Sequence, residues 1–512
     1  MLYGRMIPAK KLRVLVFEAS GMPSLWVQNI VEHLRRLPFV ELAGCKQIPT
    51  QPATSRFAAR LYRNFSLKKD GDHWQAVSTI PQASVCDAEG HPDVAIYIGD
   101  QPADGSCRGL ARLGAYSILP GHSGKVATVL SQLVAGDGVI GFSLFAHDEL
   151  WDQGHFTRQQ LVGTQASLYY HRATSGAFAA AAHLLTRHLL NLASGNVLSI
   201  ESPLINLKTE PGPPMLDIVK YLLPAFSETI TANLLRRSQR KVWYSAWRTR
   251  RECKDDALPD PFTGGFHIVA GRPGMGYADP FPFHFSARDY LFLEEIPPDG
   301  RGRLVVTEWL AGQLSSDPPA IILERPYHLS YPMVFEHESD VFLIPESRGH
   351  RTVDLYRAKE FPFEWELDTT LVEGEEFVDT TPYFLDGQWY FFVATVPTAV
   401  EPLEGRLYVA DHLRGSWMEH PASPVSTDPR RSRPAGRLFR SNGRLYRPVQ
   451  DCSSDYGLAV RIMEIDELTH QLFREHEVKA YTTDWHPDAI RTHTWNADGS
   501  IEAIDASRWR KQ

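Results

Sequence analysis

From about residue 240 onward the chain repeats one pattern: an aromatic run, a short polar turn, and a second aromatic run. It appears as "DPFPFHFSARDYLFLEEI", "YPMVFEHESDVFLIPES", "TTPYFLDGQWYFFVATV", "RLFRSNGRLYRPVQD" and "HTWNADGSIEAID". Apolar alternation on either side of Gly, Asp and Asn turns is the signature of β-hairpins. The hairpins recur at roughly 45–60 residues, the length of a four-stranded propeller blade. Five hairpins therefore predict a five-bladed, all-β propeller over 241–512. A ring of blades is closed by pairing strands from both of its ends, so "VWYSAW" (Val242–Trp247) is expected to complete the blade that contains "SIEAIDA".

Residues 1–200 follow another rhythm. "RVLVFEAS", "FVELAGC" and "PDVAIYIGD" read as buried strands. "SLWVQNIVEHLRRL" carries apolar residues at helical spacing, and "SGAFAAAAHLLTRHLLNLASG" is a helix ended by Gly195. Alternating strands and helices predict an α/β domain on a parallel sheet. Between the two, 201–240 reads as a Pro-punctuated helical connector whose basic face is solvated or interdomain.

A chain of 512 residues with 43% apolar and 22% charged residues is a soluble multidomain protein. Its formal charge of −8 argues against nucleic acid or anionic membrane as a partner. The five cysteines lie far apart with no CxxC pair, so neither a disulfide framework nor a metal site is expected. "KKLRVLVFEASG" is a first strand, not a leader, and no apolar stretch reaches the roughly 18 residues of a membrane span. Together these predict a cytoplasmic protein. No Gly-rich phosphate loop occurs, so no NAD, ATP or other cofactor is expected. Oligomeric state is open.

Within the first domain, "GAYSILPGHSG" keeps Ser117, Leu119, Pro120 and Gly124 of a Ser-x-Leu-Pro signature. "GDGVIGFSLFAHDELWDQG" ends in Asp152 and Gly154. Residues 11–195 resemble the folate-dependent formyltransferases on these motifs, which implies a Rossmann-like catalytic domain. The family uses Asn, His and Asp around a formyl carbon. Here Leu113 and Ala115 occupy the Asn and His positions, and neither can donate a hydrogen bond or titrate. Ser117, His122 and Asp152 are the remnant, with His122 the candidate to replace the lost His. The expectation is a degenerate domain, with amino-sugar N-formylation the least favoured activity.

In the propeller, Asp279, Glu346 and Asp379 fall at comparable points of three successive blades and are the candidate catalytic carboxylates. Breaking or making a glycosidic bond needs two carboxyl groups about 5–10 Å apart, one of them protonated. His328, Arg433, Gln450 and Asp451 are the candidate substrate-binding residues. The competing reading has Asp279 and Asp379 capping turns and Glu346 paired with Arg348 or Arg351. Trp365, Trp389 and Tyr390 either stack on sugar rings or fill the space between blades. "GYADPFPFHFSARDYLFLEE" resembles the first blade of the arabinanase- and invertase-type glycoside hydrolases. "RPYHLSYPMVFEHESDVFLIPESRG", "FVDTTPYFLDGQWYFFVAT" and "RPVQDCSSDYGLAV" resemble the N-terminal domain of the glucosamine inositolphosphorylceramide transferases over about 240–510. The resemblances imply a hydrolase or transferase acting on a glycan or glycolipid head group at the propeller mouth. The alternative is a non-catalytic sugar-binding scaffold in surface-polysaccharide synthesis.

Overall fold

The structure is a computed structural model, and it describes residues 11–19, 25–48, 91–99, 111–122, 126–147, 153–164, 176–195, 204–207, 210, 212–236, 239–250, 264–310, 312–397 and 402–511. The chain divides into two compact units, Met1–Ala232 with Pro397–Pro402 and Asn233–Val396 with Leu403–Gln512.

The first unit is one seven-stranded sheet in the order β2-β1-β3-β4-β5-β6-β7. Its strands are β1 (Leu12–Ala19), β2 (Val40–Ile48), β3 (Val94–Ile98), β4 (Ala115–Pro120), β5 (Val139–His147), β6 (Gln153–Gly163) and β7 (Leu204–Asn206). The four described helices are α1 (Leu25–Arg36), α2 (Val129–Ala135), α3 (Ala177–Ala193) and α4 (Met215–Arg236). The spacing that predicts α1 turns Ile30, Leu34 and the following Leu37 into the same core as Leu184, Leu185 and Leu189 of α3.

This sheet is mixed rather than parallel throughout, and it does not confirm the expected Rossmann-like formyltransferase domain. β1 to β4 pair in parallel, but β4 to β7 run antiparallel throughout. The segment read as a connector also contributes β7 to the edge of the sheet, while Ile218 of α4 packs on Leu130 of α2.

The second unit is a ring of five antiparallel sheets. Blade 5 opens and ends the ring, with β8 (Gln239–Thr249) and β9 (His267–Ile268) supplied from its start. Blade 1 holds β10 (Gly276–Phe285), β11 (Arg288–Ile296), β12 (Arg303–Leu310), β13 (Gln313–Leu314) and β14 (Ala320–Leu323). Blade 2 holds β15 (Ser330–His337), β16 (Asp340–Glu346), β17 (Thr352–Glu360) and β18 (Glu364–Glu373). Blade 3 holds β19 (Phe377–Leu385), β20 (Gln388–Thr395), β21 (Gly405–Ala410) and β22 (Met418–Glu419). In blade 4 the innermost strand is split into β23 (Arg433–Pro434) and β24 (Phe439–Ser441), both paired with β25 (Arg444–Asp451) ahead of β26 (Ala459–Leu468) and β27 (Phe473–Tyr481). β28 (Trp495–Asp498) and β29 (Ile501–Lys511) return to blade 5.

The ring closes as the sequence pattern requires. β29 pairs with β8 from Ile501↔Thr249 to Lys511↔Gln239. A buried ion pair locks the seam, with Arg248 donating to both Glu502 oxygens at 2.8 and 3.0 Å. The aromatic runs fill the spaces between blades. Phe281, Phe292, Tyr331 and Tyr356 lie between blades 1 and 2, and Phe342, Trp389, Phe391 and Trp417 between 2 and 3. Non-directional apolar packing of this kind holds blades that share almost no backbone hydrogen bonds.

Candidate active site

The first strand of blades 1, 2 and 3 carries a bulge at the same point, at Ala278/Phe281, Ser330/Met333 and Val378/Thr381. The residue in each bulge has a left-handed backbone: Asp279 at φ 47°, Tyr331 at φ 48° and Asp379 at φ 56°. A non-glycine residue held there costs roughly 1–2 kcal/mol. A bulge re-aims a side chain that the pleat would otherwise direct sideways. Three bulges in register turn Asp279, Tyr331 and Asp379 toward shared partners. Blades 4 and 5 contribute Arg433 and His493 at the corresponding starts.

Asp379 and Glu346 meet on one guanidinium. Arg433 Nε donates to Asp379 Oδ2 at 2.5 Å, and its Nη2 lies 3.3 Å from Glu346 Oε2. Gln450 Nε2 donates to the same Asp379 oxygen at 2.7 Å. Glu346 is also hydrogen-bonded to Asp379 directly. Burial and the adjacent Asp379 push Glu346 up to about 8 against the opposing pull of Arg433. Two carboxyl groups in contact cannot both ionise cheaply, so the pair holds one proton at neutral pH.

Asp279 stands apart from that pair. Its Oδ2 accepts from the Tyr331 N–H at 3.1 Å and its Oδ1 from Thr494 Oγ1 at 2.7 Å. Behind it, Asp505 accepts from the backbone N–H groups of Asp279, His493 and Thr494 at 3.0–3.1 Å. Asp505 also holds His493 Nδ1 at 2.6 Å, which leaves His493 Nε2 3.7 Å from Asp279. Although burial opposes its charge, Asp505 and Asp279 raise the His493 pKa. Burial, with smaller pushes from Asp379 and Asp505, lifts Asp279 to about 6 despite the pull of His493. Trp243 stacks on the imidazole at 4.1 Å between ring centres.

The carboxylates read from the sequence thus lie in one electrostatic cluster rather than in separate turns, and Glu346 finds Arg433, not Arg348 or Arg351. The binding set divides. Arg433 and Gln450 sit in the cluster. His328 stands at its margin, with Nε2 3.3 Å from Glu294 and Nδ1 accepting from the Gly302 N–H. Asp451 does not join: alternation along β25 turns it to the other face, where Arg461 holds it at 2.5 and 2.9 Å. Glu294, Tyr331, His493, Thr494 and Asp505 belong to the cluster and were not among the expected residues. Glu294 is buried and pushed well above the carboxylate range by burial and by Asp279 and Glu346. Trp365 and Tyr390 pack between strands.

Asp279, His493 and Asp505 lie close enough to hold a metal ion. However, Asp505 and His493 already satisfy each other, and Asp279 accepts two hydrogen bonds. Their oxygens are therefore committed to protein donors, which does not suit a metal.

In the first unit, Ser117 on β4 is wholly buried, and its Oγ lies 2.6 Å from His147 Nε2. The other ring nitrogen of His147 is held by the Gln153 carbonyl. His147 stands directly across the ladder from Ala115. His122 follows β4 and packs over Gly141. Asp152 lies outside the described residues.

The fold and cluster define a five-bladed propeller with buried, coupled carboxyl groups. Residues 261–508 match the family "Glucosamine inositolphosphorylceramide transferase 1, N-terminal". Glucosamine inositolphosphorylceramide transferase 1 of Oryza sativa subsp. japonica is 32% identical over 210 residues, covering 40% of this chain and 28% of that protein. The Arabidopsis thaliana protein of the same name is 29% identical over 214 residues, covering 41% of this chain and 28% of that protein. The chain therefore spans less than a third of the relatives it matches. Among solved structures, the GH43 protein BlXynB of Bacillus licheniformis aligns with a TM-score of 0.33 and 14% identity, over 44% of this chain and 52% of that one. The family 117 glycoside hydrolase Zg3597 of Zobellia galactanivorans aligns at 0.34 and 12%, over 52% and 90%. The family match leaves residues 1–260 outside, so the formyltransferase resemblance has no support from it.

Proposed function

We propose that the protein is a carbohydrate-active enzyme, a glycan or glycolipid hydrolase or transferase whose centre is the carboxyl cluster of the propeller. The reading takes 241–512 as the catalytic propeller, 1–200 as an α/β companion domain and 201–240 as a helical linker. One observation carries it: Glu346, pushed up to about 8, stands beside an Arg-held Asp379, while Asp279, at about 6, is held on a neighbouring blade. Near neutral pH this gives one protonated and one ionised carboxyl group, the division of labour that acid–base cleavage of a sugar acetal requires.

The Glu346–Asp379 pair is too close to bracket a glycosidic bond, since it is joined by a hydrogen bond. It therefore acts as one unit, with Glu346 donating the proton to the leaving oxygen and Arg433, 3.3 Å away, stabilising the carboxylate left behind. Asp279 is the base or nucleophile on the other side. Arg433 binds Asp379, and His493 favours the ionised form of Asp279. The shared name of the relatives points to an amino-sugar or inositol-phosphate lipid head group as the substrate class to try first.

A second reading has its own support. Asp279, Glu346 and Asp379 are 4%, 7% and 1% exposed, and a network that satisfies itself so fully suits a rigid sugar-binding scaffold. The experiment that separates the two measures turnover of nitrophenyl glycosides and of nucleotide-sugar donors by wild type, Asp279→Asn and Glu346→Gln. Loss of turnover in both variants with folding retained supports the enzyme. Sugar binding without turnover in all three supports the scaffold.

A further inference from the structure

Residues of blades 2 and 3 line an open cavity of about 290 Å³ at the far ends of the strands that carry the carboxyl cluster. Phe384 on its wall lies five residues beyond Asp379 on β19, a separation of about 17 Å along an extended strand. The cavity is therefore not an extension of the cluster.

Its lining is partly aromatic and partly polar. Phe384 is 48% exposed, and its ring centre is 5.2 Å from that of Trp389, which in turn meets His337 edge-on at 4.8 Å. Glu338, Asp411 and Arg414 line the same cavity. Arg414 is fixed in place by a double hydrogen bond to Asp368 at 2.6 and 2.9 Å. That pairing neutralises it, so the cavity offers no excess positive charge to an anion.

Both hairpin turns that frame the cavity are locked. Glu338 and Ser339 have φ of 51° and 75°, and Asp386 and Gly387 have 50° and 81°, the left-handed pairs of tight type I′ turns. A site on such turns is built before its ligand arrives and costs little ordering on binding. The hairpins of blades 1 and 4 turn on left-handed pairs as well, at Ser286–Ala287 and Asn442–Gly443, but their tips carry other side chains. Phe285 of blade 1 packs against Phe361 at 4.9 Å, and blade 4 ends in Arg440 and Ser441.

We propose that this cavity is a second carbohydrate site, which holds a neutral pyranose with its C–H face on Phe384 and its hydroxyl edge toward Glu338 and Asp411. The ring of a β-linked glucose presents a flat apolar face and an equatorial rim of hydroxyls, and galactose differs in its axial 4-hydroxyl; either matches a lining that combines aromatic and carboxylate side chains. The volume admits one sugar unit. The binding claim itself stands whether or not the cluster is catalytic.

The test uses the full chain, with methyl β-glucopyranoside and methyl β-galactopyranoside as probes, followed by saturation-transfer NMR and titration calorimetry. One of the two should bind with a Kd on the order of 1–10 mM, as expected for a ligand of about a dozen heavy atoms. Phe384→Ala should weaken it by about tenfold, Phe384→Tyr should retain it, and Asp411→Asn should weaken it with unchanged circular dichroism. Asp279→Asn should leave it unaltered. Absence of saturation transfer to both glycosides would overturn the proposal, as would equal binding by Phe384→Ala. Binding abolished by Asp279→Asn but not by Phe384→Ala would assign the sugar to the cluster instead and overturn it as well.

Discussion

Glu346 and Asp279 are ordinary carboxylates whose surroundings push them apart. With Asp279 lifted to about 6 and Glu346 to about 8, turnover should follow a bell whose limbs fall near these values and belong to the coupled cluster. Below the lower limb Asp279 is protonated and cannot attack. Above the upper one Glu346 has lost the proton it must give. Asp279→Asn should abolish turnover while barely altering thermal unfolding, because the amide oxygen can accept from the Tyr331 N–H while its NH2 group donates to the Thr494 hydroxyl, which can turn to accept. His493→Gln removes the cation that favours ionised Asp279 and should move the acid limb upward. A pH–rate profile of each variant reads these outcomes.

The first unit contains a titratable group of a different kind. His188 of α3 is buried, with its ring edge-on to Tyr116 at 4.2 Å and no hydrogen bond to either ring nitrogen. Burial, then the nearby Arg158, lowers its pKa to about 4 from 6.5. The unfolded chain binds this proton more readily, so stability is fully present above pH 6.5. It is lost as the pH falls toward 4, up to about 3 kcal/mol. His188→Leu removes the titrating group without orphaning a partner, and should flatten the acid side of a stability–pH curve measured by denaturant unfolding.

At the scale of elements, the hairpins were legible because aromatic alternation and Gly/Asp turns are local signals. The closing strand was legible because a ring requires one. The parallel α/β sheet was misjudged because strand polarity beyond β4 depends on connections that local periodicity does not encode. Within the site, the three bulged positions were half visible: "ADP" and "VDT" gave Asp279 and Asp379, while the "SYP" of blade 2 supplies Tyr331, whose backbone rather than side chain supports Asp279. Asp451 was misplaced by one step of the pleat, since of two adjacent residues only Gln450 can face the axis. The partner of Glu346 was missed because Arg433 lies 87 residues away. The seam gives the elements their own prediction. Deleting 501–511 removes every partner of β8 beyond β9, together with Glu502, and strands Arg248 as a buried charge, a loss on the order of 3–5 kcal/mol from that pair alone. The propeller transition should vanish from a calorimetric scan while the first unit's transition remains.

For the whole molecule, apolar clusters lie in all five interfaces of the ring, so the second unit has its own complete core. Residues 233–512 expressed alone should unfold cooperatively, with the intact seam as the last blade to fray in hydrogen exchange. A ring that owes its core to contacts between neighbours, each blade against the next, makes no one blade the nucleus of the rest.

The register Lys511↔Gln239 places the last strand of the ring beside its first, running in opposite directions. Two strands so arranged need only a tight turn to become continuous. The strands of this unit have a first and a last in chain order, but the ring they form has neither. A circular permutant that joins 511 to 239 through a short Gly-rich loop and starts anew at Gly443, in the Asn442–Gly443 turn, should therefore fold to the same five blades. Its near-ultraviolet circular dichroism should overlay that of the parent unit.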